Sequence, residues 1–199
     1  MHIRILASAD LHGDIKAVKK VVKYSHLADV VVVAGDLSNL GNKLRKTLVE
    51  LNKSKVKVLV VPGNHETEEQ LIAESVDLHN IINLHKSFFM VKKTLFLGYG
   101  GANFTNTEPD FLDVQPFFHR LIEKNKPEKV VFVTHNPPYG FLDDLGGEHV
   151  GTFEFTEFMK SEKLNLIICG HLHEHAGLEV NFRKTKIINP GKFRMIDLF

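Results

Sequence analysis

The stretch Ile3-Arg4-Ile5-Leu6-Ala7-Ser8-Ala9-Asp10-Leu11-His12-Gly13-Asp14 decides how this chain folds. A short apolar run, Ile3–Leu6, gives way at once to a cluster of Asp, His and Gly. The same pattern returns four times. Val30–Val33 leads to Gly35-Asp36, and Val58–Val61 to Pro62-Gly63-Asn64-His65-Glu66. Val130–Val133 leads to Thr134-His135-Asn136-Pro137-Pro138, and Leu166–Ile168 through Cys169 to Gly170-His171-Leu172-His173. Unbroken β-branched runs of this length read as strands buried on both faces. Between them Ile15, Val18, Val21 and Val22 stand at helical spacing among lysines, as do Leu44, Leu48 and Leu51, and Phe111–Glu123 and Phe153–Lys163 also read as helices. Strands alternating with helices imply an α/β domain with largely parallel pairing. Ligand sites of such sheets form at the carboxyl ends of the strands, where all five polar clusters fall.

Two regions break the alternation. Ser87–Val91 and Thr94–Tyr99 read as a hairpin around Lys92-Lys93, while Leu178–Phe182, Lys186–Asn189 and Phe193–Leu198 read as consecutive antiparallel strands. A mixed sheet, or two sheets packed face to face, fits better than a simple doubly wound one.

Composition narrows the function. With 199 residues, 43% of them hydrophobic, the chain suits one globular domain spanning 1–199. No apolar run approaches the ~20 residues that span a bilayer. Cys169 is the single cysteine, which excludes an internal disulfide framework and points to the cytoplasm. A formal net charge of +1 gives no electrostatic case for a dedicated nucleic-acid binder, although a local basic patch remains open, and nothing assigns an oligomeric state. The outlying count is 12 histidines. Asp10, His12, Asp36, Asn64, His135, His171 and His173 offer two carboxylates, one amide oxygen and four imidazoles. That donor set suits borderline ions such as Mn²⁺, Fe or Zn²⁺, and seven ligands are comfortable for two ions. Asp10-x-His12 and His171-x-His173 would project to one side if the backbone there is extended.

In order and spacing these motifs (D-x-H, G-D, G-N-H-E, H and G-H-x-H) resemble the calcineurin-like metallophosphoesterase superfamily. The Thr134–Tyr139 loop and Asn189-Pro190-Gly191 resemble its small prokaryotic phosphoesterase branch. The resemblance implies an αββα sandwich of two mixed sheets. It implies one metal held by Asp10, His12, Asp36 and His173, and another by Asp36, Asn64, His135 and His171, with Asp36 bridging. Mn²⁺ is favoured, with Fe, Zn²⁺, Ni²⁺ or Mg²⁺ as alternatives. The implied activity is hydrolysis of a phosphate ester, with small phosphodiesters favoured over monoesters, by attack of a metal-bridging hydroxide with His65 as acid. A nuclease of the same superfamily and a non-catalytic metal-binding scaffold are the alternatives. Some relatives carry an Asp, three residues after the G-D ligand, that orients the catalytic histidine; here Asn39 stands there and is expected to orient His65 without adding charge.

The remaining features carry less. His175 extends His171-x-His173 and is expected at the rim. Phe141–His149 is either a substrate-selecting flap or an ordinary acidic loop. Gly98–Gly101 with Asn103 lacks the phosphate-loop pattern. Cys169, at the end of an apolar strand, reads as a buried inert thiol.

Overall fold

A computed structural model describes residues 1–101 and 105–199; Asn103 lies outside the described residues. Four parallel strands follow the sequence runs: β1 (Ile3–Ser8), β2 (Val30–Ala34), β3 (Val58–Val61) and β4 (Ile81–Asn83). β13 (Arg194–Leu198) closes the far edge antiparallel to β1, giving the order β13-β1-β2-β3-β4. The second sheet holds the hairpin β5 (Ser87–Val91) and β6 (Thr94–Tyr99), then β7 (Lys129–Thr134), β10 (Leu166–Ile168), β12 (Thr185–Ile188) and β11 (Glu179–Phe182). Its order is β11-β12-β10-β7-β6-β5. A two-stranded ribbon, β8 (Asp144–Leu145) with β9 (Glu148–His149), stands apart.

Alternation along each strand then fixes four layers. Ile5, Val32 and Val61 of the first sheet meet Phe96, Val131 and Ile168 of the second in a dry central layer. The opposite face of the first sheet, with Leu6, Val31 and Val60, is covered by α1 (Ile15–Tyr24), α2 (Leu44–Leu51) and α3 (Glu68–Ser75) through Val18, Leu48 and Leu71. On the second sheet, Leu97, Phe132 and Ile167 are covered by Phe118, Phe155 and Phe158 of α4 (Phe111–Asn125) and α5 (Phe153–Ser161). Each fully buried side chain of this size contributes about 1.5–3 kcal/mol. The result is the αββα sandwich of two mixed sheets.

The three late strands are not consecutive neighbours. β11 and β12 pair antiparallel, but β12 lies parallel to β10, and β13 crosses to the other sheet. The crossing is made at Asn189-Pro190-Gly191, where the Gly191 carbonyl accepts the Ala9 amide at 2.8 Å and the Asn189 side chain accepts the Gly191 amide at 2.9 Å. Pro190, having no amide hydrogen, cannot continue the ladder.

Candidate metal centre

The carboxyl ends of β1, β2 and β3 in one sheet and of β7 and β10 in the other open onto a single rim, and all seven candidate ligands gather there. Helix capping makes no claim on them. Asp14, not Asp10, caps α1 by accepting the Lys16 and Ala17 amides, and Thr67 with Gln70 forms the capping box of α3. The side chains do not converge by extended-chain alternation. Asp10, His12, Asp36 and His171 have φ of 53°, 45°, 51° and 71°, so the chain turns sharply at each. A left-handed conformation costs a non-glycine residue about 1–2 kcal/mol. Such strain gathers at functional sites.

Close packing sets the centre. A Cβ on Gly63 would lie 2.0 Å from Asp36 Oδ1, and one on Gly35 would lie 2.3 Å from His135 Nδ1. Only glycine lets these loops approach. Asp36 and His135 are buried at 2% and 0% exposure. Asp36 Oδ1 accepts the His65 amide at 3.1 Å and lies 3.4 Å from His135 Nε2, while Oδ2 lies 3.6 Å from His12 Nε2 and 3.8 Å from His65 Nε2. His135 donates its Nδ1 proton to the Ala34 carbonyl at 2.9 Å, and His12 donates its own to the Ser38 carbonyl at 3.2 Å. In its neutral form each ring would therefore turn a bare Nε2 inward. Such backbone anchoring fixes the tautomer of metal-binding histidines.

The inward atoms call for a cation. His135 Nε2 faces Asp36 Oδ1 and, at 3.1 Å, Asn64 Oδ1; His171 Nδ1 faces the same Asn64 oxygen at 3.1 Å. His12 Nε2 stands 3.0 Å from His173 Nε2, which is 3.9 Å from Asp10 Oδ1. Lone pairs so arranged repel unless a proton or a metal lies between them. Asp10 Oδ1 accepts the His171 amide at 3.0 Å, but its buried Oδ2 has no hydrogen-bond partner. A buried carboxylate oxygen left without a donor is costly unless an ion takes that place. Three ligand groups have donor atoms within 4.8 Å of one another: Asp10, His12 and His173; His12, Asp36 and His65; and Asp10, Asp36 and His135. Each of Asp10, His12 and Asp36 belongs to two of these groups, so the groups share carboxylates and an imidazole and offer adjoining places for divalent cations.

Electrostatics agree. Burial pushes the Asp36 carboxyl upward, but the hydrogen bond and charge of His135 outweigh it and hold it at about 2. Burial opposes the charged form of His135, yet Asp36 prevails and raises that imidazole. Asp10 is raised, chiefly by burial. His171 is pushed down to about 4, first by burial and then by the charge of His135, so its lone pair is free at neutral pH.

Around this set, His65 stands with its ring 4.7 Å from that of His12 and accepts the Leu40 amide on Nδ1 at 3.1 Å. The orienting bond thus comes from the Leu40 backbone. Asn39 is exposed, and its main chain pairs with Asn42 in the turn that presents Leu40. Glu66 is a residue that sequence reasoning missed. Its buried carboxylate accepts the Leu37, Ser38 and Gly63 amides and the Ser38 hydroxyl, tying the Asp36 loop to the Asn64 loop. A glutamate directly following Gly-Asn-His was the available clue. In the Phe141–His149 segment, Asp143 is 1% exposed and accepts the Gly140 and Gly151 amides and His149 Nδ1. His175 Nε2 donates to the Asp144 carbonyl at 2.8 Å, so that residue tethers the ribbon beside the site. Cys169 is buried, and burial raises its thiol pKa.

No helix among the described residues is long and apolar enough to cross a membrane. Comparison with known proteins agrees with the geometry. The chain is 29% identical over 201 residues to the uncharacterized protein MJ1162 of Methanocaldococcus jannaschii, covering 96% of this chain and 88% of that one. Its fold is similar to that of TT1561 of Thermus thermophilus, with a TM-score of 0.76 at 19% identity over 96% of this chain and 90% of that chain. It is also similar to a structure described as a novel archaeal phosphodiesterase, with a TM-score of 0.53 at 16% identity over 98% and 100% of the two chains. The sequence model described as Calcineurin-like phosphoesterase matches residues 3–175, which contain every candidate ligand, and the chain therefore belongs to that family of metal-dependent phosphoric ester hydrolases.

Proposed function

We propose that the chain is a metal-dependent hydrolase of small phosphodiesters. Asp10, His12, Asp36 and His173 would hold one ion, and Asp36, Asn64, His135 and His171 the other, with Mn²⁺ the favoured metal and the cytoplasm the favoured location. The observation that carries this reading is the double aspect of Asp36. Its Oδ1 is turned to His135 and its Oδ2 to His12, so one buried carboxylate serves both ligand groups. Paired divalent ions, when bound, lower the pKa of a shared water and offset the charge that builds on phosphorus.

The chain's own groups do the rest. Because the Leu40 amide occupies Nδ1, neutral His65 carries its proton on Nε2, the atom nearest Asp36. That N–H is placed to hydrogen-bond a phosphate oxygen; it would protonate the departing alkoxide only from the imidazolium, which gives up the Nε2 proton to return to the neutral ring and needs the Leu40 amide to release Nδ1. Beside His65 opens a cleft of about 660 Å³ lined by the acidic residues Glu66, Glu68, Glu69, Glu108 and Asp110 and by the basic Lys86. His85, also in its wall, is kept neutral, with burial pushing it down to about 4. No arginine lines this cleft among the described residues. An acidic approach favours a singly charged diester with an uncharged leaving group over a dianionic monoester or a nucleic-acid strand.

The test is a panel assayed with Mn²⁺: cyclic nucleotides, an alkyl aryl diester, bis(nitrophenyl) phosphate, nitrophenyl phosphate and single-stranded RNA. We expect kcat/KM on the diesters to exceed that on the monoester by at least tenfold. Preference for the monoester or for RNA overturns the substrate reading, and no turnover on any of them with two metals bound overturns the enzymatic one.

A further inference from the structure

We infer that the opposite pole of the molecule binds a nucleotide-like ligand, a phosphate chain joined to a flat apolar group. The site is a cleft of about 840 Å³ at the amino ends of β7, β10 and β12, away from the rim that carries the metal ligands. A volume of this order suits one small molecule. Four exposed cations line it: Lys126, Lys163, Arg183 and Lys184. Among the described residues none of the four makes an ion pair.

The acids beside them are already engaged. Glu128 pairs with Lys93 at 2.9 Å, and Glu162 pairs with His119. Lys160, a fifth cation in the wall, is held by Glu157 at 2.7 Å. On a chain whose net charge is +1, this leaves a concentrated positive concavity. Lys126 and Lys163 stand near the carbonyl ends of α4 and α5, where one cation offsets roughly half a charge. Arg183 and Lys184 have no such partner. They form the two-residue turn between β11 and β12, where Arg183 has φ of 55° in the position that glycine normally takes. The chain accepts that strain and keeps a guanidinium at the mouth.

Apolar side chains line one part of the cleft. Ile122 and Phe182 line it, and the Arg183 guanidinium lies 5.0 Å from the Phe182 ring centroid. Phosphates alone would need only the cations; the flat guanidinium resting on Phe182 offers its outer face for a base to stack on.

The experiment uses the full chain in EDTA, so that phosphate cannot enter through the metal site, at low ionic strength. ATP, tripolyphosphate, adenosine and a 12-nucleotide RNA are titrated by calorimetry. ATP should bind saturably at one per chain, at least tenfold more tightly than tripolyphosphate or adenosine. Arg183→Gly relieves the strain at φ 55° and should leave the fold intact, checked by its urea midpoint; it should weaken ATP several-fold. Lys163→Glu with Lys184→Glu should weaken it at least tenfold, while hydrolysis of bis(nitrophenyl) phosphate by the metal-loaded variant stays within twofold of the parent. No saturable ATP binding at millimolar concentration overturns the inference, as does ATP binding unchanged in both variants. Tripolyphosphate binding as tight as ATP overturns the stacking of a base, and RNA binding tighter than ATP makes the surface a nucleic-acid one instead.

Discussion

The carboxylate of Glu66 reaches across from the Asn64 loop and accepts the Leu37 amide at 2.9 Å. It lies next to the candidate ligand Asp36 without joining the candidate ligands themselves, and with 5% exposure it answers donors that water cannot reach. Glu66→Ala would leave the amides of Leu37, Ser38 and Gly63 and the Ser38 hydroxyl without that acceptor. Each buried donor so orphaned costs about 1–3 kcal/mol. Urea denaturation in EDTA should show Glu66→Ala destabilised by several kcal/mol, with Glu66→Gln between it and the parent. A parent-like midpoint for Glu66→Ala would remove this residue from the framework.

Gly63 tests the packing of the centre. A methyl group there would stand 2.0 Å from Asp36 Oδ1, and nothing about the φ at Gly63 adds to the problem. Gly63→Ala should displace Asp36 and abolish stable metal uptake, measured by elemental analysis after loading and desalting. Gly146→Ala is the control. It sits at φ +67 with no atom within 4 Å of the added carbon, so it should cost about 1–2 kcal/mol of backbone strain and leave metal content unchanged.

Much of this arrangement was legible in the sequence, for a physical reason. The candidate ligands are Asp, His and Asn, side chains that a buried parallel sheet can offer only at strand ends, so apolar runs followed by such clusters announce both the fold and the candidate site. What stayed hidden depends on the backbone. The positive φ angles at His12 and Asp36 leave only a weak trace in the sequence, since Asp and His enter the left-handed region more often than other non-glycine residues but still uncommonly. The amide of Leu40 orients His65 whatever side chain residue 40 bears, so Asn39 drew the attention instead. Strand β13 has the same composition in either sheet; only the Gly191–Ala9 hydrogen bond shows where it crosses.

His85 gives a pH prediction outside the metal ligands. Its Nδ1 accepts the Gly100 amide at 2.8 Å, and burial pushes its pKa down from the usual 6.5 to about 4. Between those values the unfolded chain holds a proton on this ring that the folded chain does not. Stability from His85 is therefore complete above about pH 6.5 and declines as pH falls towards 4, by up to about 1.4 kcal/mol per pH unit. His85→Gln should remove that slope while lowering stability at pH 8. Parallel stability curves for the two proteins between pH 4 and 7 would rule out the buried neutral ring.

Metal uptake should itself follow pH. The raised pKa of His135 means a proton competes for Nε2, the atom that faces Asp36 and Asn64. Binding must expel that proton, so affinity rises with pH through the titration of His135. Calorimetry in buffers of different ionisation enthalpy at pH 6.5 should count protons released on Mn²⁺ binding, and His135→Ala should release fewer. An affinity that does not vary between pH 6 and 8 would contradict the competition.

His65 carries the sharpest test of the proposed chemistry. With Nδ1 taken by the Leu40 amide, its one proton in the neutral ring is on Nε2, 3.8 Å from Asp36 Oδ2. If the ring takes a second proton on Nδ1 in place of the Leu40 contact and then gives the Nε2 proton to the departing oxygen, the value of that transfer depends on the leaving group. An alkoxide needs a proton; a nitrophenolate is stable without one. General acid catalysis contributes about 10²–10⁴-fold, so His65→Ala should lose a factor in that range on an alkyl diester and clearly less on bis(nitrophenyl) phosphate. Asn39→Ala should stay within about twofold of the parent on both, because the orienting donor is the backbone of the next residue. Equal losses for His65→Ala on the two substrates, with two metals still bound, would assign the ring to holding phosphate. Loss of one metal equivalent would instead place it among the ligands, as its approach to His12 and Asp36 allows.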